Sequence, residues 1–198
     1  MKRIFINEIF RKLIHISSLA IPLIYFFLIK DKIVMATFLI ILTLISLLIE
    51  NARLNREGYV RFFFHKYLKS VLRPNELKGH LTGATWMLIG FTCSVIIFDF
   101  DVSVLALLFL SVGDAVAGLV GRALPIGKIW DKSISGSLSG FLICLFFGLA
   151  INNTLSLQII IFGAMSGMFI ELIPLKINDN FSIPVFSGFI MQILKEIL

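Results

Sequence analysis

Charge is scarce in this chain, and acidic charge scarcest: 12 Asp and Glu stand against 18 Lys and Arg among 198 residues. Only 15% of the residues are charged while 58% are hydrophobic, and mean hydropathy reaches +0.98. Soluble domains carry roughly half apolar and about a quarter charged residues, so that class is excluded. The two cysteines, Cys93 and Cys144, lie in apolar segments without metal-ligand spacing and read as small core hydrophobes. No His/Cys cluster suggests zinc, and no Ser-His-Asp arrangement has a recognisable context. Gly127-Lys128 lacks the hydroxyl residue and the preceding glycine of a Walker loop. There is no internal repeat and no low-complexity linker. No cleavable leader is expected, because the first apolar run lacks a small-x-small site and further spans come after it. The net charge of +6 does not point to nucleic acid. Its basic residues sit beside apolar runs, as in a protein seated against an anionic leaflet.

What is present is a succession of apolar runs. They predict an all-α, polytopic membrane helix bundle forming one domain over 1–198, with about seven spans. The expected spans are Leu13–Ile29, Ile33–Ile49, Leu81–Phe98, Val102–Val120, Ser137–Ile151, Leu155–Leu175 and Phe181–Leu194, the last short and tilted, re-entrant or buried. Residues 1–12 read as an interfacial segment. Glu50–His80 is the long polar connection, with Arg53, Arg56, Arg61, Lys66, Lys69, Arg73 and Lys78 interleaved with Phe62-Phe63-Phe64 and Tyr67. That composition predicts a loop lying partly on the membrane surface. Basic residues concentrate in alternate connections, which predicts a cytoplasmic N-terminus and gathers the polar chemistry at the cytoplasmic face.

The sharpest single residue is Asp114, a carboxylate inside an apolar run. Such residues usually face a bundle interior and mark a site, since an aspartate at mid-membrane costs about 3 kcal/mol on insertion scales. Directly after it come Arg122, Lys128 and Lys132 among Gly121, Gly127, Ser133, Gly136 and Ser137. Cations beside small residues that let backbone amides approach suit a polyphosphate. Asp114 is the candidate catalytic or Mg²⁺-binding carboxylate, with Asp179 and Glu171 as further acidic candidates near the same face. Each of the three can instead be an ion pair or loop residue that only fixes packing. Arg11-Lys12 with His15 one turn on can bind lipid headgroup phosphate or anchor the helix. Glu50 and Arg53, three apart, can share one helix face. His80, Thr82 and Thr85 bring polar atoms to the start of the third run.

Taken in order, Arg11-Lys12-x-x-His15, Glu50-x-x-Arg53, Gly79-His80-Leu81-Thr82-Gly83-Ala84-Thr85, Ser111-x-Gly113-Asp114-x-x-Ala117-x-x-x-Gly121-Arg122, Lys132-Ser133-x-x-Gly136-Ser137, Glu171-x-x-Pro174 and Asp179-Asn180-x-x-Ile183-Pro184 resemble the CTP-dependent lipid-alcohol kinases. These include dolichol kinase, phytol kinase and the fungal-type diacylglycerol kinase. The resemblance spans nearly the whole chain. It implies transfer of the γ-phosphoryl group of CTP, with Mg²⁺, to the hydroxyl of a membrane lipid such as diacylglycerol or a polyprenol. It implies Asp114 as the catalytic or metal-binding carboxylate and Asp179 as a second metal ligand. Arg122, Lys128, Lys132, Ser133, Gly136, Ser137 and Asn180 become nucleotide contacts. Arg11, Lys12, His15, Glu50, Arg53, His80, Thr82 and Glu171 become lipid or supporting polar residues. The polar core is also distantly similar to phosphatidate cytidylyltransferase, yet Glu171–Leu198 lacks the Lys-Arg, Lys-Asp and His-Gly-Gly signatures of that enzyme. A membrane scaffold or lipid transporter, needing no CTP, is the alternative from a different class.

Overall fold

The computed structural model describes residues 11–54, 58–68, 72–152 and 154–198, with the side chain of residue 65 excepted. Most of the expected interfacial segment, residues 1–10, therefore lies outside the described residues. Arg11 and Lys12 instead open the first helix.

The described fold is an all-α bundle with one small hairpin. Helix α1 runs over Arg11–Ile29 and α2 over Lys32–Leu54, joined at Lys30 in the left-handed region (φ 54°). Two short surface helices follow. The first, α3, covers Tyr59–Phe63 and continues as a π-helical turn through Leu68; the second, α4, is Pro74–Leu77. Then come α5 (Gly83–Ile97), α6 (Phe100–Ala123), α7 (Ile134–Ile151), α8 (Leu157–Leu172) and α9 (Asp179–Ile197). Between α6 and α7, strands β1 (Lys128–Ile129) and β2 (Lys132–Ser133) pair antiparallel.

Four of these helices, α1, α2, α6 and α7, are long and apolar enough to cross a membrane, against the seven expected. The difference is one of length and polarity. At 1.5 Å per residue, α5 and α8 reach only about 22–24 Å, short of the roughly 30 Å hydrocarbon core. Helix α9 is long enough but carries Asp179, Asn180, Gln192, Lys195 and Glu196 at its ends. The expected Glu50–His80 loop also begins later than the charge pattern suggested. Helix α2 continues through Leu54 and keeps Glu50 and Arg53 inside its last turns, both buried.

Helix α6 is the centre of the bundle: 72% of its apolar window is buried, against 17% for α2. The outward face of α2 bares Ile33, Leu44 and Leu48, the kind of broad apolar surface that a bilayer covers. Because lipid tails are as apolar as leucine, helices in such a bundle associate through close packing and polar contacts. Thr43 and Ser46 of α2 share hydrogen bonds with Thr92 and Thr85 of α5, at 2.8 and 2.7 Å. Ser18 of α1 shares one with Ser111 of α6 at 3.0 Å. At one end of the bundle Lys195 holds Asp99 and Asp101, at 2.9 and 2.8 Å. The cationic and acidic residues expected to form a site gather at the other.

Candidate functional site

Helix α6 is interrupted by a π-helical stretch, Phe109–Asp114, every residue of which is buried. A π-turn inserts an extra residue and rotates the helix beyond it, and such turns are frequent at functional sites. This one ends on Asp114. The carboxylate Oδ2 accepts a hydrogen bond from Lys12 Nζ at 2.7 Å, and Nδ1 of His15 stands 3.3 Å from it. Lys12 also donates to the Asp114 backbone carbonyl at 2.8 Å. All three side chains are at most about a tenth exposed, so helix α1 brings a buried cation directly onto the carboxylate of α6.

Gly118 makes that approach possible. A Cβ at this position would lie 2.3 Å from Cε and 2.6 Å from Nζ of Lys12. Gly118→Ala is therefore expected to displace the ammonium from Asp114. The bundle keeps its fold, since only the end of a long side chain must move, while the unfolding midpoint falls because the buried carboxylate loses its partner. An unfolding midpoint equal to the parent's in the purified variant would show that the Lys12–Asp114 contact is dispensable to the bundle.

Below this pair lies a cavity of about 370 Å³. Arg11, Lys12, Arg122, Lys128 and Lys132 line it, together with Asp114, Asp179 and Glu171. The hairpin and the start of α7 supply Ser133, Gly136 and Ser137. Helix α7 approaches α6 so closely that a Cβ on Gly136 would sit 2.6 Å from the Ala117 carbonyl. Ser133 caps α7, accepting from the Gly136 amide at 3.2 Å, so its hydroxyl supports the cavity wall. Lys132 spans the floor, donating to Glu171 at 2.6 Å and to Asp179 at 2.9 Å, while Ser137 donates to the other Glu171 oxygen at 3.0 Å. Burial acts to lower the Lys132 pKa, but the carboxylates of Asp179 and Glu171 override it and hold the ammonium above the ordinary lysine range. With three donors and two in use, Lys132 keeps one for a ligand.

A second cavity, of about 320 Å³ and mostly apolar, adjoins the first. Ile14, Ile49, Phe64, Leu68, Leu72 and Met87 supply its apolar wall, and Arg11, Lys12 and Arg73 border both cavities. His15 faces this second space and Asp114 the first. Its polar side is built on Glu50, which accepts from the Thr82 amide at 2.8 Å, from Thr85 Oγ1 at 3.0 Å and from Arg53 Nε at 2.7 Å. Arg53 in turn donates to the carbonyls of Glu76 and His80 at 2.8 and 2.7 Å. Glu50 and Arg53 thus brace the wall, and His80 contributes through its backbone while lining neither cavity.

The resemblance placed Asn180 among the nucleotide contacts, but it lies on the second cavity instead. Its Nδ2 donates to the Gly83 carbonyl at 2.7 Å, while its buried Oδ1 has no partner among the described residues. Two residues were not singled out from the sequence. Arg73 read as one basic residue among seven, and Asp131, on the hairpin beside the first cavity, carried no motif.

Among the described residues no three His, Cys, Asp or Glu side chains form a metal cluster. Mg²⁺ does not require one, being usually held by one or two carboxylates plus substrate phosphates rather than by an all-protein cage. Asp114 and Asp179 line the same cavity and are the two carboxylates there that a Mg²⁺ ion could share with phosphate oxygens.

No family model matches the chain, and no solved structure matches it. It is 32% identical to the uncharacterized protein RP860 of Rickettsia prowazekii (strain Madrid E), over 88% of each chain. The chain belongs to the same family as that rickettsial protein.

Proposed function

We propose that the chain is a membrane-embedded kinase that transfers the γ-phosphoryl group of CTP to the hydroxyl of a membrane lipid, a diacylglycerol or a polyprenol. One observation carries the reading: a cationic cavity fit for a polyphosphate and an apolar cavity fit for a lipid tail share Arg11, Lys12 and Arg73 as a common wall. The Lys12–Asp114 pair stands at that junction, where the two substrates would meet.

In this reading CTP enters the first cavity from the cytoplasm. That orientation is supported by the crowding of Arg and Lys at this end. Arg122, Lys128 and the remaining donor of Lys132 hold the triphosphate, and Arg11 and Arg73 add charge at the border. Mg²⁺, held by Asp114 and Asp179 together with phosphate oxygens, would neutralise charge on the β- and γ-phosphates. The lipid lies in the second cavity with its hydroxyl directed at the shared wall. Asp114 helps to orient that hydroxyl, whose proton passes to an oxygen of the transferring phosphoryl group. The bond from the lipid oxygen to the γ-phosphorus forms as the bridging bond to the β-phosphate breaks, giving CDP and a lipid monophosphate. Lys12 and its neighbours stabilise the charge on the transferring group, which is where most catalysis of phosphoryl transfer arises.

The test is an assay of the purified, reconstituted protein with CTP or ATP and a panel of lipid alcohols, read by mass spectrometry. A lipid monophosphate formed in proportion to CDP is the expected result. A cytidylylated lipid with pyrophosphate would instead mark a phosphatidate cytidylyltransferase-like reaction. No nucleotide turnover with any alcohol would leave the scaffold or transporter class.

A further inference from the structure

A third, smaller cavity of about 210 Å³ lies on the other side of the second cavity's wall, with which it shares Phe64 and Leu72. Its polar lining is wholly cationic: Arg53, Arg61 and Lys78, with no carboxylate among the described lining residues. Arg53 is already neutralised by Glu50 at 2.6 Å and is buried, so it forms the floor. The uncompensated charge is that of Arg61 and Lys78, neither of which makes an ion pair or side-chain hydrogen bond with a described residue. Arg61 and the exposed Lys78 thus line one notch with no described counter-ion, and an anion that fits there meets both cations.

The position of the notch selects the anion. Arg53 sits in the last turn of the membrane-spanning helix α2, the level at which phospholipid headgroups lie. Arg61 belongs to α3, whose Tyr59, Phe62 and Phe63 are 94%, 62% and 50% exposed, with Tyr67 following at 59%. Exposed aromatic rings of this kind settle at the membrane–water interface. Lys66 rests over the Phe62 and Tyr67 rings at 5.4 and 5.3 Å, extending the same basic, aromatic surface. A soluble anion would not need that belt, whereas a lipid phosphate is delivered along it.

We propose that Arg61 and Lys78 form a binding site for the phosphate of an anionic phospholipid, separate from the nucleotide cavity. The diester phosphate sits between the two cations over Arg53, and the acyl chains leave along the aromatic face of α3. A zwitterionic headgroup is disfavoured, because its ammonium would face the same cations.

The experiment uses the full chain in phosphatidylcholine nanodiscs, titrated with short-chain phosphatidylglycerol, short-chain phosphatidylcholine or inorganic phosphate and read by calorimetry. Saturable binding of phosphatidylglycerol is expected, with phosphatidylcholine failing to compete. At about fivefold for each cation near a membrane surface, the R61Q/K78Q variant is expected to bind roughly twenty-five-fold more weakly. The K66Q variant, whose cation lies on the same surface but outside the notch, is expected to weaken binding by no more than about fivefold. Unchanged affinity in R61Q/K78Q, or equal binding of phosphatidylcholine, would overturn the site. Inorganic phosphate binding as tightly as the lipid would overturn the lipid assignment. The readout is binding rather than turnover, so its failure is distinct from a failure of the kinase reading. A matching unfolding midpoint for R61Q/K78Q and the parent excludes misfolding as the cause.

Discussion

Asp114→Asn is expected to lower phosphoryl transfer by about 10²–10³ while also weakening the bundle, and the two effects are separable. The carboxylate is buried against an equally buried ammonium, at 2.7 Å. Neutralising one partner of such a pair leaves the other charge stranded, at about 3–5 kcal/mol, so the unfolding midpoint falls as well. Adding Lys12→Met removes the stranded charge. Replacing both partners of a buried pair with neutral groups is often close to neutral for stability. The double variant is therefore expected to recover its midpoint and remain inactive. If activity returns together with stability, the pair serves packing alone.

Lys132→Ala is expected to act on the nucleotide. Its ammonium bridges Glu171 and Asp179 and lines the cationic cavity, with no contact to the apolar one. Its loss is expected to raise KM for CTP at least tenfold and leave the lipid KM close to the parent's. Among the described residues buried Glu171 retains only the Ser137 hydroxyl as a side-chain partner, so the midpoint drops too. A fall in stability with no change in nucleotide KM would reduce Lys132 to a strut. The sign of the pH effect comes from the raised pKa. The charged, paired form is fully present below the ordinary lysine value of 10.5 and is lost only as pH rises through the higher folded value. Between about pH 6 and 9, Lys132 is therefore expected to impose no titration on nucleotide use.

The bundle was legible from its apolar runs, because burial and lipid exposure both demand the same residues. Asp114 was legible for the converse reason, as a carboxylate set where only a partner or a ligand makes it tolerable. The partner was not. Lys12 read as half of a basic anchor pair, since nothing in a linear pattern tells that α1 lays its first turn against Gly118 of α6. The bracing of Glu50 by Arg53 was suggested by their spacing, but its targets, the amide of Thr82 and the carbonyl of His80, depend on how the surface segment folds back. Span number was overcounted because an apolar run reports hydrophobicity, while crossing a bilayer also needs length. Helices α5 and α8 have the first without the second. The resemblance carried Asp179 and Asn180 over together, yet successive residues on a helix point about 100° apart, and the two side chains face different cavities.

The central claim is that CTP and a lipid hydroxyl meet across the Lys12–Asp114 junction with attack at the γ-phosphorus. Its most direct test is to supply the reconstituted protein with a lipid alcohol and CTP labelled at either the α- or the γ-phosphate. The γ label alone is expected to enter the organic phase, as a phosphatase-sensitive lipid monophosphate, and to do so at least a hundredfold more slowly with Asp114→Asn. Entry of the α label, or γ transfer undiminished in that variant, would contradict it.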